Sequence, residues 1–135
     1  MSIEATYLST DSPKAVKDAE YAVNELKKLS DSRIYETLSI SKITAAEEED
    51  GIYHVNTLLT LELASSHFKS GLPLETFHMV VMRNKIDQSM SFAIDEFPEM
   101  DEQSIEKFWI KKVKERRSQR ESLFRHIEQS TIGEL

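Results

Sequence analysis

The sequence predicts an α+β fold in which one N-terminal helix packs on a four-stranded antiparallel meander sheet, with a second helix appended at the C-terminus. Three observations carry this expectation. Residues 13 to 29 repeat apolar side chains at helical spacing, residues 52 to 65 alternate apolar with polar, and the stretch from Asp101 onward returns to helical spacing with dense charge.

Residues 1–10 show no sustained period, and the N-terminal arm over 1–12 is expected to be flexible or to pair at a sheet edge. Ser12-Pro13 then reads as a helix start, because a Ser side chain caps free amides and Pro fits the first helical turn. Ala15, Ala19, Ala22 and Leu26, flanked by Val16 and Val23, make a buried stripe whose small members allow close approach to a sheet. Four strands are expected over Arg33 to Ala46, Ile52 to Ser65, Leu74 to Lys85 and Ser89 to Phe97. In the first, Ile34, Leu38 and Ile40 share a face until Ile43 breaks the alternation, which predicts a bulge near Ser41 or Lys42. In the second, Tyr53, Val55, Leu59, Leu61 and Leu63 recur at every second position except Thr57, while Ile52 and Leu58 fall out of phase. Between these strands Glu47-Glu48-Glu49-Asp50-Gly51 reads as a solvated acidic hairpin tip, since Asp-Gly is a common hairpin signal. Pro98 ends the last strand. The core is thus placed at 13–100, the C-terminal helix at 101–128 with Asp101 or Ser104 as cap, and a tail at 129–135.

Composition narrows the function classes. The formal charge of −7 argues against general nucleic-acid binding. Residues 105 to 128 nonetheless carry eight Lys and Arg against four Glu, a net +4, leaving −11 on the remainder. With no cysteine there is no disulfide, thiolate nucleophile or thiolate metal site. No stretch approaches the roughly 20 apolar residues that span a bilayer. The opening Met1-Ser2-Ile3-Glu4 does not resemble a signal peptide.

The order of helix and meander, with a glycine closing the first hairpin, resembles the cystatin family, in which a sheet wraps one long helix. The resemblance covers about residues 13 to 97. Asp18-Ala19-Glu20-Tyr21-Ala22-Val23-Asn24-Glu25-Leu26-Lys27-Lys28-Leu29-Ser30 looks like the family's helix, and Gly51-Ile52-Tyr53-His54-Val55 to Leu63 like the strand after its central loop. Inhibitory cystatins grip papain-like proteases with an N-terminal glycine, a Gln-x-Val-x-Gly loop and a Pro-Trp hairpin. This chain departs from all three. Glu47 and Glu49 stand at the glutamine and valine positions, Arg83-Asn84-Lys85-Ile86-Asp87-Gln88 has neither Pro nor Trp, and residues 1–12 hold no glycine. The family's disulfide cysteines are absent as well. The resemblance therefore implies a non-enzymatic, cystatin-like protein-interaction domain that lacks the protease-inhibitory motifs, in a secreted or secretory-pathway setting. The alternatives are an inhibitor of papain-like cysteine proteases that uses a non-standard edge, and an assembly module held by its terminal helix.

Two contact regions are expected. One is the acidic run Glu47, Glu48, Glu49 and Asp50; the other is the helix face with Arg116, Arg117 and Arg120 followed by Leu123, Phe124 and Ile127, which suits an acidic partner or self-association. No catalytic, cofactor or metal residue is expected. His54, His67, His78 and His126 lack zinc-ligand spacing, and consecutive carboxylates lack the spacing of a calcium loop. Asp95, Glu96, Glu99, Asp101 and Glu102 crowd about Pro98 like a polar junction, and Ser65-Ser66-His67 are sequence neighbours that rarely form a triad.

Overall fold

The computed structural model describes residues 5–29 and 33–133, with side chains through Arg120. The elements are β1 (Ala5–Tyr7), α1 (Pro13–Lys28), β2 (Ser39–Asp50), β3 (His54–Ala64), β4 (Leu74–Asn84), β5 (Met90–Ile94) and α2 (Glu102–Gly133). The chain forms two units, Met1–Met100 and Asp101–Leu135. In the first, the strands pair in sequence order as an antiparallel five-stranded sheet, with α1 against β2 to β5.

Local chemistry sets α1. The Ser12 hydroxyl accepts from the Ala15 amide at 3.2 Å, and Pro13 opens the first turn. Ala15, Ala19, Ala22 and Leu26 are fully buried and Val23 nearly so. The alanines let the helix lie close to the sheet, whose inner face presents Leu59, Leu61, Leu63, Phe77, Met79 and Val81. Burying each large aliphatic side chain is worth about 1.5–3 kcal/mol, so this layer dominates the unit's stability. Thr57, the polar exception in the β3 alternation, is 2% exposed and points to the same inner side.

Several boundaries differ from those expected. The sheet has five strands rather than four, because Ala5, Thr6 and Tyr7 pair with Glu49, Glu48 and Glu47. Leu8 adds a backbone bond to the Ala46 carbonyl at 3.0 Å, so of the two readings of the N-terminal arm, flexible or edge-pairing, residues 5–7 take the second and form an edge strand. Three residues are too few to show a period, and their partners lie some forty positions away.

The first long strand begins at Ser39, not Arg33. Residues 34–37 turn instead, with Arg33 at φ 60° and Glu36 and Leu38 bonded back to the Arg33 and Tyr35 carbonyls. Tyr35 and Leu38 are the buried pair there. The β2 register shifts between Ile40 and Lys42, at the expected Ser41, and again between Ile43 and Ala45. Because β1 covers only Glu47–Glu49, the bulged half of β2 has an open outer edge among the described residues.

The long connection after β3 is tied at its base, where Ser65 donates its amide to the Pro73 carbonyl at 3.2 Å. The Ser65 hydroxyl meets Thr37 Oγ1 at 3.0 Å and accepts from the His67 amide at 3.1 Å. It is thus a buried turn organiser.

Helix α2 starts at a capped residue, with Asp101 Oδ1 accepting from the Ser104 amide at 3.2 Å. It continues to Gly133, beyond the expected end at Glu128, so the tail placed at 129–135 is helical over its first five residues. No Pro or Gly interrupts residues 129–132. Phe108 and Trp109 meet edge to face at 5.1 Å, and the Lys112 ammonium sits 5.6 Å from the Phe108 ring centre. From Ile110 to Arg120 every residue is exposed. No described helix is long and apolar enough to cross a membrane.

Candidate functional site

The acidic run forms no turn. Glu47, Glu48, Glu49 and Asp50 are the last four residues of β2, each paired with β3, and the first three also pair with β1. Strand alternation divides them between the two faces of the sheet. Glu48 pairs with Lys14 at 3.0 Å and Asp50 with Lys85, so two of the four carboxylates already have cations. The expectation of one acidic tip fails because pairing with β1, which no local pattern announces, carries the strand through it.

The actual tip is Gly51-Ile52-Tyr53. The Gly51 amide donates to the His54 carbonyl at 2.9 Å, and a Cβ on Gly51 would lie 2.9 Å from that same oxygen. Glycine is required here for room, not for a positive φ. Ile52 and Tyr53 are each 68% exposed.

A second tip stands beside the first. Lys85 donates its amide to the Tyr53 carbonyl at 2.9 Å while its ammonium pairs with Asp50, which joins the β4–β5 turn to the β2–β3 turn. The Asn84 carboxamide oxygen accepts from the Ile86 and Asp87 amides at 2.8 and 3.3 Å, and Gln88 takes φ 62°. Asp87 accepts from Ser89 through its side chain and its amide, which holds its carboxyl below the ordinary aspartate range. This network presents Ile86 at 86% exposure. Adjacent tips thus carry Ile52, Tyr53 and Ile86 at one end of the sheet. Such side chains supply contact energy when a partner covers them.

Behind the tips lies a recess of about 130 Å³ between the start of α1 and the inner face of β2, β3 and β4. Val55 and Val81 form its apolar wall, and Lys14, Asp18, Glu48, Thr57 and Arg83 its polar lining. Asp18 is 4% exposed, and one of its oxygens, Oδ2, accepts from the Thr57 hydroxyl at 2.7 Å.

The helix residues named from sequence are placed only in part. Arg116, Arg117 and Arg120 lie exposed on α2, and none makes an ion pair among the described residues. The side chains of Leu123, Phe124 and Ile127 fall outside the described residues. No group of acidic and histidine residues with the makings of a metal site occurs among the described residues. Sequence reasoning missed Ile52, Tyr53 and Ile86 as a set. Its one signal was Ile52, an apolar residue out of phase beside a turn glycine. No family model matches the chain, and no curated protein or solved structure matches it.

Proposed function

We propose that the chain is a non-enzymatic, cystatin-like protein-interaction domain that meets its partner through the paired hairpin tips. The observation that carries this reading is the exposure of Ile52, Tyr53 and Ile86 on turns tied together by Lys85. Fixed turns lose little conformational freedom on binding, and covering three large apolar side chains is worth about 1.5–3 kcal/mol each. The basic face with Arg116, Arg117 and Arg120 is a separate contact surface for an acidic partner.

The second reading, an inhibitor of papain-like cysteine proteases with a non-standard edge, is favoured by the same tip. Its leading residues are Ile52 and Tyr53, so entry into a cleft would not bury the carboxylates of β2 at the cost of several kcal/mol each. Two assays separate the readings. Titration against a papain-like protease, followed by hydrolysis of a small substrate, is expected to show no inhibition at micromolar concentration. Inhibition that is lost in Tyr53→Ala would replace the first reading by the second. For a binding partner, a triple Ser substitution at Ile52, Tyr53 and Ile86 is expected to abolish binding. Binding that survives this change but fails on Ser substitution of Arg116, Arg117 and Arg120 would move the contact to α2.

A further inference from the structure

The recess behind the tips is lined by two cations and two carboxylates, and their pairing leaves one of each uncommitted. Lys14 and Glu48 neutralise each other at 3.0 Å. Asp18 gives one oxygen to Thr57, and its Oδ1 accepts from no described side chain. Arg83 has only the Met90 sulfur, 3.6 Å from its guanidinium, and no carboxylate among the described residues. The second Asp18 oxygen and the exposed Arg83 guanidinium therefore line the same recess without an ion-pair partner among the described residues.

Charge and size together restrict what fits. With Lys14 and Glu48 paired, a simple anion would meet the Asp18 carboxylate, and a simple cation would meet Arg83. Either leaves a like charge unmatched. A ligand carrying both signs satisfies both groups. The volume, about 130 Å³, equals about four water molecules at roughly 30 Å³ each and falls well below the usual range of drug-sized pockets. Val55 and Val81 offer contact to a methyl or methylene group.

We propose that this recess binds a small zwitterion of the α-amino-acid class, with its ammonium on Asp18 and its carboxylate on Arg83. Glycine, alanine and serine have the right bulk, and aromatic amino acids exceed it.

Amide-resolved NMR of the full chain tests this, with alanine and serine as probes and ethylammonium, acetate and phenylalanine as controls. Saturable shifts are expected at Asp18, Thr57 and Val81, with half-saturation at about 1 mM or below. Arg83→Gln, which changes an exposed residue, should weaken binding about tenfold or more without unfolding the chain. Asp18→Asn should do the same, because the carboxamide oxygen still accepts from Thr57. Absence of any saturable shift up to about 50 mM would identify the recess as a solvent-filled cleft and overturn the proposal. So would acetate or ethylammonium alone reproducing the shifts, or unchanged affinity in Arg83→Gln.

Discussion

Helices α1 and α2 use the same backbone hydrogen bonding and draw their stability from different sources. In α1 the stripe from Ala15 to Leu26 is fully buried, so tertiary contact holds a helix of 16 residues. In α2 the residues from Ile110 to Arg120 are exposed on every side, Val113 at 57%. That stretch rests on propensity and local pairs, which are of both signs: Lys111 and Arg117 precede Glu115 and Glu121 by four residues. Lys112, Arg116 and Arg120 stack at four-residue spacing, where like charges oppose helix formation by about 0.2–0.5 kcal/mol per pair. The lesson is that one helix is held by burial and the other, over residues 110–120, displays its side chains to solvent.

The sharpest way to break this contrast is Leu26→Ala. Removing a fully buried Leu from α1 should destabilise the first unit by about 2–5 kcal/mol, read as a fall in the urea midpoint. A small loss would mean that α1 is less essential than its burial implies. Next, Thr57→Val removes the donor to the buried Asp18 carboxylate and should cost about 1–3 kcal/mol. Adding Asp18→Ala to that variant should recover much of the loss, and a double-mutant cycle reports the coupling. Deleting residues 114–135 should leave the unfolding free energy from urea titration within about 0.5 kcal/mol of the full chain's while abolishing any concentration dependence of the molecular mass. Global unfolding of that truncation would place the segment in the core. The most local effect is expected from Arg116→Glu. A carboxylate there stands between Lys112 and Arg120, so slower amide exchange over residues 110–120 should accompany a gain of about 0.5–1 kcal/mol in local helix stability.

What could be read from sequence was what local chemistry decides. The Ser12 cap, the inner face of β3 and the break at Ser41 follow from one side chain or a period of two, and the structure has them where expected. What escaped depends on distant partners. The Glu47–Asp50 run has turn-like composition and becomes strand because Ala5–Tyr7 and β3 flank it. Half of its charge is then matched by Lys14 and Lys85, which come from other elements. The candidate edge was hidden for the same reason. Ile52, Tyr53 and Ile86 are brought together by a bond between Lys85 and Tyr53, residues that share no local pattern. Thr57 looked like a flaw in the alternation, whereas it anchors the carboxylate beneath the recess.

The two register shifts of β2 bear on how the molecule behaves when concentrated. An uncovered run of strand is ordinarily a template on which another chain can grow, because its outward amides and carbonyls form an evenly spaced ladder. Irregular pairing after Ile40 and again after Ile43 bends that run and breaks the even spacing on the stretch that β1 leaves bare. The exposed Lys42 between the two shifts adds a charge that a flat incoming strand would have to bury. The same irregularity that interrupts the sheet's geometry therefore guards against fibril seeding, and straightening it by deleting Ser41 or Thr44 would open the protein to stacking with its own copies.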